Sequence, residues 1–176
     1  MQQSSDTSVT SRLRAFADSK SRTITTAVDA DYGLISKQLA GLIEGESDRI
    51  ANLANCSALL WQELPDINWV GFYLLKRKKL VLGPFQGKPA CTRIEMDCGV
   101  CGTAASMGKT VIVADVHQFP GHIACDAASK SEIVVPIIKD GRLIAVLDID
   151  SPTPDRFDHR DQQGLEALLR VLLPQL

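Results

Sequence analysis

The stretch IVVPIIKDGRLIAVLDI, residues 133–149, decides the fold of this chain. Its two apolar, β-branched runs, residues 133–138 and 143–149, flank an Asp-Gly pair, and such a pair between two runs is a strong signal for a tight antiparallel hairpin. A second hairpin is predicted upstream. There NWVGFYLL, residues 68–75, precedes a polar turn at 76–79 and the apolar residues 80–82. Together the two hairpins predict an antiparallel sheet.

Helices are predicted on either side of these strands. Apolar residues fall near helical spacing after Asp29 and again after Gly45, and Asp158 can cap a last helix. The apolar positions are Leu34, Ile35, Leu39, Leu42 and Ile43, then Ile50, Leu53, Leu60, Trp61 and Leu64, and finally Leu165, Leu168, Leu169 and Leu172. There is neither an internal repeat nor a second core. The order predicts a single α/β domain of the α+β type, with a central, mostly antiparallel sheet flanked by helices.

Composition sets the domain organisation and excludes some partners. A chain of 176 residues with 45% hydrophobic content suits one domain, predicted over residues 21–176, after a polar, flexible tail at 1–20. Lys plus Arg number 19 against 21 Asp plus Glu, which argues against nucleic-acid binding. No apolar run reaches the roughly 20 residues of a membrane span, and the N-terminus lacks the apolar core of a signal peptide. We therefore expect a cytoplasmic protein that contacts no membrane.

The segment between the hairpins, residues 84–131, is too long for a plain connection and should carry function. It contains four of the five cysteines, namely Cys91, Cys98, Cys101 and Cys125. In a reducing compartment these are not expected to form permanent disulfides. One hypothesis is redox chemistry, in which a thiolate attacks an electrophilic sulfur and a second thiol captures the resulting sulfenic acid. The fifth, Cys56, lies among helical leucines and is expected to be a buried apolar filler.

Zinc binding is an alternative role for these cysteines. Cys98 and Cys101 have the spacing of half a structural zinc site, but a second tight pair is missing. The other ligands would come from His117, His122, Cys91 and Cys125. A thioredoxin-like role for the same Cys-Gly-Val-Cys stretch is not supported, because no parallel βαβ unit surrounds it. We expect neither a metal nor a cofactor.

Three acidic residues are candidates for acid catalysis. Asp148 and Asp150 alternate with Ile149 and therefore point to one face of the strand, while Glu132 begins the paired strand. Like charges crowded in one pocket raise at least one pKa, which would make a proton donor usable near neutral pH. The alternative is a pair of solvated acids at a strand end.

Seven motifs follow one another along the chain: NWVGFY, GPFQGKPAC, GVCGTAA, ADV, FPGHIACD, SEIVVPI and LDIDSP. They closely resemble those of the free methionine-R-sulfoxide reductases, a family of stand-alone GAF domains, and the resemblance runs from about residue 34 to 173. It implies an oxidoreductase that converts free methionine-R-sulfoxide to methionine. A small-molecule-binding GAF sensor without catalysis is the alternative.

The resemblance also implies roles for individual residues. Cys125 of GHIACD would attack the sulfoxide sulfur, Cys91 of GKPAC would resolve the sulfenic acid, and Cys101 of GVCGTAA would be a further disulfide partner. A thioredoxin-type protein would reduce the disulfide, and a homodimer is compatible with the family. Cys98 departs from the family pattern, which leaves the pairing of the resting disulfide open.

The same resemblance implies a substrate pocket. Glu132, Asp148 and Asp150 would bind the substrate ammonium and polarise the sulfoxide, and Trp69 and Tyr73 would form an aromatic wall. Physical reasoning agrees, because Trp69 and Tyr73 are four residues apart on a strand and share a face. Ordinary core packing is the alternative for either ring.

Overall fold

The computed structural model describes residues 30–121 and 126–176. The helices are α1 (Tyr32–Ile43), α2 (Arg49–Glu63), α3 (Gly99–Met107) and α4 (His159–Leu172), with short 3-10 helices at Val116–Gln118 and Leu173–Gln175. The strands are β1 (Trp69–Lys76), β2 (Lys79–Gly87), β3 (Arg93–Glu95), β4 (Val111–Val113), β5 (Ser131–Lys139) and β6 (Arg142–Ser151). The tail predicted at residues 1–20 lies outside the described residues.

The strands form one six-stranded sheet in the order β3-β2-β1-β6-β5-β4, and every neighbouring pair is antiparallel. Both predicted hairpins are confirmed. In the β5–β6 turn, Asp140 and Gly141 have φ values of 51° and 72°, and two positive φ angles are what a two-residue type I′ turn requires. The predicted α+β class is confirmed as well.

Helices α1, α2 and α4 cover one face of the sheet. Because strand residues alternate between faces, Val70, Phe72 and Leu74 of β1 point into this layer, where they join Leu39 of α1 and Leu165 of α4 in one buried cluster. Cys56 lies in the same layer and is fully buried, as predicted. Among the residues described, no helix is both long and apolar enough to cross a bilayer.

The opposite face of the sheet is covered by α3 and the loops around it. Trp69 and Tyr73 of β1 point to this side and pack in a second cluster with Val100, Cys101 and Ala104 of α3. This layer comes from the long segment for which no regular structure was predicted. The helix was missed because its residues GVCGTAASM are small and give only a weak apolar stripe.

Three apolar residues assigned to the predicted helices lie on the surface instead. Leu34, Ile50 and Trp61 have exposed fractions of 50%, 45% and 41%. Their helices are confirmed, but the inward face of each is narrower than the apolar pattern indicated. The cap of α4 is also confirmed: Asp158 accepts bonds from the backbone N–H groups of Arg160 and Asp161, and the Asp161 side chain accepts one from the Asp158 N–H.

Candidate active site

The register of the central strands brings the predicted site residues together on the face covered by α3. Asp150 on β6 lies opposite Glu132 on β5 and opposite Trp69 on β1, so these three form a row across the sheet. Asp148, two residues before Asp150, shares that face and lies opposite Gly71. The acids are therefore neighbours of the aromatic wall and are not a solvated pair at a strand end.

A pocket with about 560 Å³ of empty space, solvent at its mouth included, opens over this row. It is lined by Trp69, Tyr73, Lys88, Pro89, Ala90, Ile94, Cys98, Gly99, Val100, Cys101, Asp126, Ser129, Glu132, Asp148 and Asp150. Its floor is the sheet, and the N-terminal turn of α3 forms one wall. All five substrate-binding residues suggested by the family resemblance border this pocket.

The polar centre of the pocket is a buried cluster of Cys101, Glu132 and Asp148. The Cys101 Sγ, one Glu132 oxygen and one Asp148 oxygen all lie within 4.8 Å of one another. Burial, reinforced by the neighbouring carboxylates, raises the pKa of Glu132 well above its usual range. Burial also raises the pKa of Asp148, to about 6, although hydrogen bonds from Cys101 and Glu132 oppose the shift. A cluster with these values holds at least one carboxylic proton at neutral pH.

Asp148 is the acceptor at the centre of this cluster. Protonated Glu132 and the Cys101 thiol both hydrogen-bond to its carboxylate. Its Oδ1 is buried and has no hydrogen-bond partner among the residues described. A buried, unpartnered carboxylate oxygen in a pocket wall is poised to accept a hydrogen bond from a ligand.

Asp150 completes the acidic trio at the edge of the cluster. Burial, followed by the charge of Asp148, raises the pKa of Asp150 well above its usual range, although a hydrogen bond from Ser129 opposes the shift. Ser129 is in turn held by the Asn68 side chain, whose Nδ2 donates to the Ser129 Oγ at 3.0 Å. These contacts fix Asp150 beside Asp148.

Aromatic rings form the apolar side of the pocket. Trp69 and Tyr73 stack with ring centroids 5.9 Å apart, and Trp69 stacks on Phe85 at 5.4 Å. The indole Nε1 donates to the Lys88 carbonyl at 3.0 Å, which fixes the ring plane. Gly71 lies beneath the indole, because a Cβ at that position would be 2.7 Å from the Trp69 Cη2. The wall depends on glycine at this position.

The proposed nucleophile Cys125 lies outside the described residues, which resume at Asp126. Asp126 forms an ion pair with Lys88 at 3.2 Å and accepts hydrogen bonds from the Asn68 side chain and the Ala128 N–H. The backbone bond from Ala128 is the largest of the effects that lower the pKa of Asp126. These contacts anchor the residue after Cys125 at the rim of the pocket.

The described cysteines near the pocket differ in exposure. Cys101 is buried, Cys91 is half-buried beside the same apolar cluster, and Cys98 is exposed at the N-cap of α3. The donors gathered around Cys101 in the described part of the chain are carboxylates, whereas His117, on a 3-10 helix, is not among them. His122 and Cys125, two further ligands in the zinc alternative, lie outside the described residues.

Four polar residues at or beside the pocket were missed by the sequence analysis: Lys88, Asp126 and Ser129 line it, and Asn68 donates hydrogen bonds to Asp126 and Ser129. Asn68 beside Trp69 and Asp126 beside Cys125 could have been suspected from adjacency in the chain. Nothing local pointed to Lys88 or Ser129.

Comparison with known proteins agrees with this fold. Residues 54–172 match the GAF domain family model. The chain is 56% identical over 146 residues to Protein YtsP of Bacillus subtilis, covering 82% of this chain and 90% of that protein. It is 52% identical over 141 residues to the free methionine-R-sulfoxide reductase of Escherichia coli, covering 80% and 86%.

A solved structure is similar over most of the chain. The fRMsr of Staphylococcus aureus, in complex with substrate, is 58% identical, has a TM-score of 0.82, and matches 86% of this chain and 99% of its own. Both the sequence and the fold are thus shared over nearly the full length of these relatives. The chain belongs to the free methionine-R-sulfoxide reductase family of GAF-domain oxidoreductases.

Proposed function

We propose that this protein reduces free L-methionine-(R)-sulfoxide to L-methionine through the thiol of Cys125. The observation that carries the proposal is the pocket in which Glu132, Asp148 and Asp150 face the stacked rings of Trp69 and Tyr73. Its rim is anchored at Asp126, directly after Cys125 in the chain. The Escherichia coli relative bears the name of this activity, and the Staphylococcus aureus relative has been solved with its substrate.

The charges of the pocket favour a free amino acid over a methionine within a protein. A free amino acid carries an ammonium group, which the unpartnered Oδ1 of Asp148 and the carboxyl of Asp150 would bind. Its carboxylate would lie against backbone N–H groups at the start of α3, near Gly99. A methionine within a chain has neither charge, so the acids would remain uncompensated. The methylthio end would lie against the rings.

The chemistry requires a nucleophile and a proton donor. The Cys125 thiolate attacks the sulfoxide sulfur, and Glu132, held in its protonated form by burial, donates a proton to the sulfoxide oxygen. The oxygen passes to the Cys125 sulfur as methionine leaves, which makes a sulfenic acid. The Cys91 thiol then attacks this sulfur, and a disulfide forms with release of water.

Cys101 would act as a further disulfide partner during recovery of the enzyme. Its thiol lies in the pocket wall beside Asp148, and Cys91 packs against the same cluster. A thioredoxin-type protein would supply the two electrons that restore the thiols. This reaction needs neither a metal nor a cofactor. We further propose that the protein is cytoplasmic and forms a homodimer. The proposed domain comprises residues 21–176 and follows a flexible tail at residues 1–20. Limited proteolysis would test this boundary, because a flexible tail is cleaved before the folded domain.

The substrate is tested by comparing three sulfoxides under thioredoxin recycling. We expect turnover with free L-methionine-(R)-sulfoxide, and none with the S epimer or with a peptide-bound sulfoxide. Turnover of the peptide-bound form would contradict the argument from pocket charge. No turnover of any of them by folded, reduced protein would favour the sensor alternative, which ligand binding without consumption would then establish.

The nucleophile is tested by single-turnover measurements on two variants. Cys125→Ser should release no methionine, whereas Cys91→Ser should release about one methionine per enzyme and then stall, because its sulfenic acid cannot be resolved. Repeated turnover by Cys125→Ser would exclude Cys125 as the nucleophile. Cys56→Ala, on the buried face of α2, is the matched control and should turn over normally.

A further inference from the structure

We propose that Cys98 and Cys101 form a redox pair at the start of α3, through which an external protein dithiol reduces the catalytic disulfide. This inference rests on the proposed function and extends it to the recovery of the enzyme. It gives a role to Cys98, to which the proposed function assigns none. The relay begins at the surface and ends in the pocket.

The backbone closes a short turn between the two cysteines. The Gly102 N–H donates to the Cys98 carbonyl at 3.0 Å, so residues 98–102 close one turn, although Cys98 itself is extended, with φ of −106° and ψ of 131°. Disulfides need Cα atoms about 4.4–6.8 Å apart, a separation that a turn closed by one such hydrogen bond can provide. Gly99, between the two cysteines, has φ of 60°, a conformation that glycine adopts without strain.

A second contact pattern holds this turn in place. The Asp97 N–H donates to the Gly102 carbonyl at 3.1 Å, and the Cys98 N–H donates to the Glu95 carbonyl at 3.3 Å. Gly102 packs tightly on this backbone, since a Cβ there would be 3.1 Å from the Asp97 nitrogen. These contacts brace the turn that a Cys98–Cys101 disulfide would span.

Cys98 and Cys101 differ in solvent exposure, and we infer a different role for each thiol. Cys98 is exposed and borders the mouth of the pocket, whereas Cys101 has an exposed fraction of only 4%. Attack by a protein thiol needs access to a sulfur from outside, which Cys98 offers and Cys101 does not. Cys91 packs against the cluster that contains Cys101, so Cys101 is placed to exchange with Cys91 on the inner side.

Asp148 supplies the proton acceptor for this exchange. Burial, with the charge of Asp148 next, raises the pKa of Cys101 well above its usual range, so its resting form is the thiol, which hydrogen-bonds to Asp148. The thiolate is the attacking form in disulfide exchange. Transfer of the thiol proton to the Asp148 carboxylate would generate that thiolate at the moment of attack.

The steps of the relay balance in atoms and electrons. After one turnover Cys91 and Cys125 share a disulfide. The Cys101 sulfur, having given its proton to Asp148, attacks the Cys91 sulfur, which forms a Cys91–Cys101 bond and releases the Cys125 thiolate. The Cys98 thiol then attacks the Cys101 sulfur, which forms the Cys98–Cys101 bond, and its proton passes to the departing Cys91 sulfur. An external dithiol attacks the exposed Cys98 sulfur and leaves as a disulfide, so the two electrons come from it.

The kinetic test compares two reductants on Cys98→Ser and on the wild type. With a thioredoxin-type protein the steady-state rate of the variant should fall at least tenfold, whereas with dithiothreitol, which is small enough to enter the pocket, it should fall little. The ratio of the two rates is the readout, and Cys56→Ala, which should keep the wild-type ratio, is the matched control. An unchanged ratio in Cys98→Ser would overturn the relay.

A second measurement does not depend on activity. In Cys91→Ser/Cys125→Ser protein equilibrated with glutathione buffers, peptide mapping should find a Cys98–Cys101 disulfide and the loss of two free thiols. Absence of this disulfide across oxidising buffers would overturn the pairing, whatever the enzyme does. Failure of the wild type to release methionine in a first turnover would instead refute the proposed function, so the two failures are distinguishable.

Discussion

Replacing Asp148 by Asn should make the protein more stable at neutral pH. The carboxyl is buried, and its pKa rises from an ordinary value near 3.8 to about 6 in the folded state. An acid whose pKa is higher in the folded state stabilises the fold only while it is protonated, and that stability is lost as the pH rises through the folded value. Asp148 therefore begins to destabilise the fold as the pH rises above 3.8, and the effect is complete above about pH 6.

The magnitude follows from the two pKa values. They differ by about 2.2, and one pKa unit corresponds to 1.36 kcal/mol, so ionisation of Asp148 costs about 3 kcal/mol of unfolding free energy at pH 7.5. At pH 4.5, where the carboxyl is protonated in the folded protein but largely ionised in the unfolded chain, the same calculation leaves about 1 kcal/mol. The Asp148→Asn substitution removes this ionisation cost at both pH values.

Asn also preserves the hydrogen bonds of the cluster. Its carbonyl oxygen can occupy the position that accepts from Cys101 and Glu132, and its amide nitrogen then falls at the unpartnered Oδ1 position. Loss of the negative charge also removes repulsion that Glu132 and Asp150 feel from Asp148. Both effects keep the expected change in the stabilising direction.

Urea denaturation at pH 7.5 and 4.5 tests the calculation. Asp148→Asn should raise the unfolding free energy by about 3 kcal/mol at pH 7.5 and by about 1 kcal/mol at pH 4.5, with an unchanged m value. Asp140→Asn, in the exposed β5–β6 turn, is the matched control and should change neither. Equal or lower stability of the Asp148 variant at pH 7.5, or the same increment at both pH values, would refute the reasoning.

Three further outcomes are expected. Glu132→Gln keeps a donor to its neighbour but cannot release a proton, so its single-turnover rate at pH 7 should fall roughly 10²- to 10⁴-fold; a wild-type rate would exclude acid catalysis there. Gly71→Ala places a methyl group 2.7 Å from the Trp69 ring and 2.9 Å from the Phe85 Cα, and should lower stability by about 1–3 kcal/mol and raise KM; unaltered stability and KM would show that the wall can yield. Asp158→Ala removes the N-cap of α4 and should cost about 1 kcal/mol in urea denaturation, with catalysis untouched.

Much of the sheet could be predicted because its signals are local. The Asp140-Gly141 turn and the β-branched runs around it determine a hairpin, and strand alternation alone places Asp148 and Asp150 on one face. The layer that packs on the face of Asp148 and Asp150 could not be predicted. Helix α3 is built from small residues with little apolar periodicity, and it is stabilised by packing against the sheet, which no local pattern reports.

The sequence by itself determined the two hairpins, the family motifs and the kinds of side chain available for chemistry. Only the tertiary structure decided that Cys101 lies against Glu132 and Asp148, and that Cys98, three residues away, faces outward. The physical reason is that burial and charge coupling depend on distances between residues far apart in the chain. Proton affinity and access to a reductant arise from those distances, so they emerge only once the sheet and α3 have packed together.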